Sequence, residues 1–176
     1  MKQSGKVALG GILGAIALIC LMGTVFPYAV YALPALAGLA LTPIVMEAGV
    51  KWGWLVFGAV AILNLFLTPS LEARFMFVAF LGYYPVLRAS VEKRSAWIRW
   101  IIKLAVFNAA MVAVFWLMLK VGGIESDALE LFGVNLPLVF LLIGNAVFVI
   151  YDLALANINF MYMKFLHPQI ARIFHI

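Results

Sequence analysis

"GYYPVLRASVEKRSAWIRW" (residues 82–100) holds the densest charge in the chain, and apolar sequence lies on both sides of it. Arg88, Glu92, Lys93, Arg94 and Arg99 fall within twelve positions, with Trp97 and Trp100 among them. Two readings compete. Such a stretch can bind a phosphate or a nucleotide, or it can mark where the chain of a membrane protein turns in the cytoplasm. The surrounding sequence decides between them.

Of the 176 residues, 67% are hydrophobic and only 11% charged, and the mean hydropathy is +1.15. A soluble domain is about a quarter charged. No soluble globule of this length has interior enough for so much apolar surface. The chain therefore reads as an integral membrane protein. A net charge of +5 would raise nucleic acid as a partner of a soluble protein. In a bilayer the placement of the charges matters first, and no nucleic acid is expected. "MKQSGKVALGGILGAIALICLMG" (1–23) mimics a secretory signal. Its apolar run is long, no convincing A-x-A site follows, and further apolar runs come after it, so it reads as a retained first helix. Cys20 is the only cysteine, which leaves no internal disulfide and no cysteine metal cluster.

A spanning helix needs roughly 20 apolar residues. Six segments meet that length: about 7–26, 28–46, 52–68, 73–90, 98–120 and 135–160. Gly23 and Pro27 end the first, Glu47, Gly49 and Lys51 the second, and "TPS" (68–70) the third. Residues 82–100 end the fourth, and "VGGIESDALELFG" (121–133) ends the fifth. The third and fourth are the shortest. None of the segments alternates in polarity as a barrel strand does. The expected fold is an all-α integral membrane protein: a six-transmembrane-helix bundle forming a single domain over 1–176.

With the N-terminus inside, the cytoplasmic positions hold Lys2, Lys6, Lys51, Arg88, Lys93, Arg94, Arg99, Lys103, Lys164 and Arg172. The outer positions hold Arg74 and Lys120, together with Glu72, Glu125, Asp127 and Glu130. This is a strong positive-inside bias, and six spans then put both termini in the cytoplasm. The expected location is the cell membrane.

Polar residues within the spans need a partner or a task. Asn145, Asp152 and Asn159 are seven apart on the last helix, nearly two turns, and form one stripe. Lys103 and Arg99 begin the fifth helix at a similar depth, and Asp152–Lys103 is the favoured pair. The competing reading is interhelical hydrogen bonding without further function. One intramembrane acid does not make a proton relay.

On the first helix, Gly10 with Gly14 and Gly11 with Ala15 are spaced four apart, a pattern that allows another backbone to approach closely. They serve either packing inside the bundle or docking of a partner. In the outer half, Tyr28, Tyr31, Asn64, Glu72, Arg74, Trp116, Lys120 and Asn135 are scattered. Singly, the aromatics read as interface anchors. Together the group has the polar and aromatic lining of a small-molecule pocket. Catalytic motifs, metal-ligand spacings and phosphate cradles are absent from the sequence. No enzymatic activity, cofactor or ATPase motor is expected on this chain.

"VMEAGVKWGWLVFGAVAILNLFL" (45–67), "FLGYYPVLRASVEK" (80–93) and "IGNAVFVIYDLALANI" (143–158) carry a diffuse resemblance over most of the chain. The sequence resembles the substrate-binding S components of energy-coupling factor (ECF) transporters, or the small S-component-like membrane proteins of Firmicutes. That resemblance implies capture of a vitamin-like micronutrient from outside. It also implies docking on a transmembrane T component that carries two ABC ATPases, and toppling in the membrane to release the ligand. Docking in the family uses an A-x-x-x-A pattern on the first helix. Here the matching positions read Gly10/Gly14 and Gly11/Ala15, which keep the small size but not the residue. The alternative is a structural or scaffold membrane protein of the cell envelope. A cavity lined by Tyr31, Asn64, Arg74 or Trp116 separates the two.

On this reading 82–100 is the main cytoplasmic anchor. Tyr83, Tyr84, Trp97 and Trp100 form its aromatic belt, and Pro85 is placed to kink the end of the fourth helix. Its cations suit anionic lipid head groups or a partner on that face.

Overall fold

The computed structural model describes residues 2–121, 130–131 and 134–168, with side chains except at Pro27, 121–137 and Leu166. Glu125, Asp127, Arg172 and His175 lie outside the described residues. So do most of the turn 121–133 and the side chains of Glu130 and Asn135.

Among the described residues the architecture is all-helical apart from one small hairpin. Helix α1 (Gln3–Met22) is followed by two 3-10 turns, Gly23–Val25 and Pro27–Ala29. Then come α2 (Ala32–Ala40), α3 (Thr42–Ala48), α4 (Val50–Leu67) and α5 (Leu71–Met76). A π-helical turn (Phe77–Leu81) leads into α6 (Tyr84–Val91) and α7 (Ala96–Val121). Strands β1 (Glu130–Leu131) and β2 (Val134–Asn135) pair antiparallel with Leu131 opposite Val134. Helix α8 (Leu136–Met161) ends in a second π turn, Tyr162–Leu166.

Among the described residues, four helical stretches are long and apolar enough to cross a membrane: Gln3–Val25, Val50–Leu67, Ala96–Lys120 and Leu138–Phe165. The chain is a multi-pass membrane protein. The other two expected spans are broken. The second, expected over 28–46, becomes a shorter apolar stretch, Ala32–Ala48, interrupted at Leu41. Pro43 in the first turn of α3 has no N–H to bond back to the preceding helix, and its fixed φ suits a helix start. The helix also starts later than expected, at Ala32, so Tyr28 and Tyr31 precede it. The fourth, expected over 73–90, is assembled from α5, the π turn and α6. Pro85 does not kink its end. It stands in the first turn of α6 and opens a new helix. The third, among the shortest by sequence, is unbroken.

Local chemistry accounts for the turns. Gly49, between α3 and α4, has φ +89, where a side chain is strained. Ser70 caps α5, its Oγ accepting from the Ala73 N–H at 3.3 Å. Gly82 N–H donates to Phe77 O at 2.8 Å, the long reach of a π turn.

Close packing depends on small residues, because lipid offers helices no hydrophobic drive to associate. Helices α1 and α4 run side by side in the same direction, Gly10 facing Val56 and Gly14 facing Val60. Gly38 on α2 lies directly against the Leu81 carbonyl of the π turn. One core cluster joins Ala17, Leu21, Ala37, Leu41, Val60 and Phe77. A second joins Phe80, Tyr84, Phe107, Phe148 and Leu155. Its rings pack tightly: Phe107 stacks on Phe148 at 4.7 Å, and Phe80 meets Phe107 edge-on at 5.1 Å.

Candidate functional site

Beside the second aromatic cluster, three elements bring four polar side chains together. Tyr84 and Arg88 are four apart on α6 and share a face. Lys103 comes from α7 and Asp152 from α8. Lys103 Nζ donates to Asp152 Oδ1 at 2.8 Å and to Oδ2 at 3.0 Å. Tyr84 Oη donates to Oδ1 at 2.6 Å. Arg88 Nε also lies 3.0 Å from Oδ1. The expected Asp152–Lys103 pair is therefore present, inside a larger cluster. Lys103 and Asp152 are each 4% exposed and Tyr84 is fully buried.

Arg88 and Tyr84 correct the sequence reading. Arg88 was expected among the cytoplasmic surface cations, and Tyr84 in the interfacial belt. Both turn inward toward Asp152 instead, Arg88 keeping only 11% of its side-chain surface exposed. Lys103 is likewise an interior cation, with Trp100 5.4 Å away as a cation–π partner. The surface charge of the turn is left to Lys93 and Arg94, both exposed, and to Arg99, which pairs with Glu92 at 2.8 Å. Trp97 is exposed, while Tyr83 stacks on Trp54 at 5.9 Å.

The rest of the α8 stripe behaves unevenly. Asn145 exchanges two hydrogen bonds with Asn108 on α7, at 2.9 and 3.0 Å. Asn159 Oδ1 is buried with no hydrogen-bond partner among the described residues.

The outer-half candidates split into separate groups. Asn64 is fully buried. Its amide donates to Arg74 O at 3.1 Å, and its carbonyl accepts from Thr68 Oγ1 at 2.6 Å. Arg74 Nε in turn donates to Thr68 O. These groups close the α4–α5 turn. Tyr31 donates to Glu72 at 3.1 Å on an exposed surface, and Tyr28 is fully exposed. Lys120 stands 5.8 Å over the Trp116 ring. The side chain of Asn135 lies outside the described residues.

The first-helix pattern divides as well. Gly10 and Gly14 are buried against α4, where an added Cβ would meet Val56 at 2.8 Å and Val60 at 3.3 Å. Gly11 faces open space and Ala15 is exposed. All four line a groove of about 430 Å³ between α1 and α4, with Trp52 and Leu55 on its other wall.

At the other end of α3, Glu47 accepts from Tyr162 Oη at 2.8 Å, and His167 Nδ1 lies 2.6 Å away. The Glu47 side chain is 2% exposed. This contact, like Arg88, Tyr84 and Asn108, was missed from sequence. No three His, Cys, Asp or Glu side chains converge as metal ligands do among the described residues.

No protein-family model, curated protein or solved structure matches the chain.

Proposed function

We propose that the chain is a membrane-embedded docking subunit, the substrate-binding S component of an ECF-type importer, with six crossings and both termini in the cytoplasm. Its partner would be a transmembrane T component with separate ABC ATPases. The observation that carries this reading is the α1/α4 groove, with Gly11 and Ala15 exposed on one wall. The small Gly11 and Ala15, midway along a wall that also carries Lys6, Val7 and Leu18, leave room for close approach by a partner's helix. Gly10 and Gly14 do a different job, holding α1 to α4.

Assembly tests the docking half. Gly11→Leu with Ala15→Leu is expected to abolish co-purification with a T component while the bundle stays folded. Unchanged assembly overturns it. Ligand capture is tested by mass spectrometry of small molecules carried through purification in detergent, where an empty preparation counts against an importer.

The second reading is a scaffold membrane protein that docks partners and binds no ligand. The Asn64–Thr68–Arg74 network favours it, because two of the candidate pocket residues are engaged with each other and with the backbone. An importer would have to open that network or place its ligand elsewhere. A preparation that assembles through the groove yet holds no ligand supports the scaffold.

A further inference from the structure

The cluster at Asp152 is unbalanced in charge and in hydrogen bonds. Arg88 and Lys103 contribute two cations, and Asp152 is the one carboxylate within ion-pair distance of either among the described residues. The hydrogen bonds are equally uneven. A carboxylate oxygen has two lone pairs, and those of Asp152 Oδ1 already receive Tyr84 Oη and Lys103 Nζ. Arg88 Nε sits 3.0 Å away within the field of the carboxylate, but it is buried and makes no hydrogen bond. Nε thus has the charge of Asp152 beside it but no acceptor of its own. Leaving a buried charged donor unsatisfied is costly.

Position narrows what completes the cluster. Arg88 lies in the last turn of α6, four residues before Glu92 and beside the exposed cations Lys93 and Arg94. Its side chain keeps 11% of its surface exposed, and a long basic side chain near a helix end can extend to lipid head groups. We propose that the open edge of Arg88 is a phosphate site: its planar fork takes a phosphate oxygen pair, with Lys103 adding charge from behind. Arginine suits this because its donors are fixed in the spacing of phosphate oxygens. The phosphate belongs either to a phospholipid head group or to a small soluble phosphate. The site lies on the basic turn, apart from the Tyr31–Glu72 contact and from the α1/α4 groove, so it stands whether or not the importer reading does.

The test uses the full chain in neutral detergent and reads thermal unfolding and native mass spectra. One arm adds phosphatidic acid, with diacylglycerol of the same chains as the control that lacks the phosphate. A second arm adds inorganic phosphate, with chloride at the same ionic strength. Stabilisation by phosphatidic acid alone, with one lipid retained in the mass spectrum, identifies a lipid head group. Stabilisation by inorganic phosphate identifies a soluble ligand. Arg88→Lys keeps the charge but loses the fork, and is expected to weaken the apparent affinity by about tenfold. Arg88→Gln is expected to remove the effect, and should it fail to fold, Arg88→Lys carries the test alone. The proposal is overturned if neither phosphate stabilises the protein, or if Arg88→Lys binds as the parent does.

Discussion

Lys103 and Asp152 join α7 to α8 through both carboxylate oxygens, at 2.8 and 3.0 Å. Both side chains are buried, so removing one partner leaves the other charge uncompensated. The two removals are not equivalent. Asp152→Asn strands Lys103 and Arg88 together, whereas Lys103→Met leaves Asp152 with Arg88 and Tyr84. Asp152→Asn is expected to cost about 3 kcal/mol or more and Lys103→Met distinctly less, measured by thermal unfolding in detergent. Equal losses would mean that Arg88 does not share the carboxylate.

Gly38 sets the distance between α2 and the π turn. A Cβ there would run into the Leu81 carbonyl and come within 3.0 Å of Tyr151 Oη. Backbone cannot move aside as a flexible side chain can. Gly38→Ala is expected to destabilise by about 1–3 kcal/mol. Gly11 faces open space, and Gly11→Ala should be neutral or slightly stabilising, since alanine favours helix by about 1 kcal/mol. A melting-temperature comparison of the two variants checks the contrast.

These contacts also mark how far the sequence could be read. Hydropathy reveals the helices, because each long one is apolar nearly throughout. It does not reveal where two of them break, since Pro43 falls inside an expected span and Pro85 reads as a kink until the next helix is seen to start at each. The α7–α8 pairing was legible in outline. Lys103–Asp152, Phe107–Phe148 and Asn108–Asn145 advance on one helix as they retreat on the other, as antiparallel neighbours must. Asp152 and Asn145 gave half of that pattern, and Asn108 would have completed it. Arg88 and Tyr84 were hidden for a different reason. They lie in a basic, aromatic turn, where composition alone assigns every charge to the surface. The outer candidates share only an expected depth, which is all that hydropathy supplies; the contacts of Tyr31 with Glu72 and of Asn64 with Arg74, both on α5, needed the fold.

Asn108 and Asn145 form a reciprocal amide pair and also bond back to Leu104 O and Leu141 O on their own helices. Each single change to Leu leaves the other amide with its own carbonyl, so the losses should be modest and non-additive. A double-mutant cycle on unfolding free energy is expected to give a coupling of about 0.6–2 kcal/mol. A coupling of zero would show that the pair contributes nothing beyond packing.

Glu47 fastens the end of α8 to the end of α3 through Tyr162 and His167. Glu47→Leu removes the shared acceptor and leaves Tyr162 Oη without it. Limited proteolysis should then cut sooner around Lys164, while the melting temperature falls only modestly, by the equivalent of about 1–3 kcal/mol. Tyr162→Phe should produce a smaller change in the same direction. An unaltered cleavage rate in Glu47→Leu would mean that the carboxylate does not hold the segment.

Six crossings, as proposed, would put Tyr28 and Lys93 at opposite ends of the bundle. Tyr31, three residues after Tyr28, meets Glu72, and Lys93 lies in the exposed basic turn. With the basic end in the cytoplasm, a membrane-impermeant maleimide applied to intact cells should distinguish them. In a Cys20→Ala background, Tyr28→Cys is expected to label from outside. Lys93→Cys is expected to label only after permeabilisation. Both replaced side chains are exposed, so burial does not confound the comparison. Reversed labelling would invert the topology and place the Arg88 cluster at the outer surface. Labelling of both from one side would mean that the three segments between them, α2–α3, α4 and α5–α6, do not carry the chain across an odd number of times.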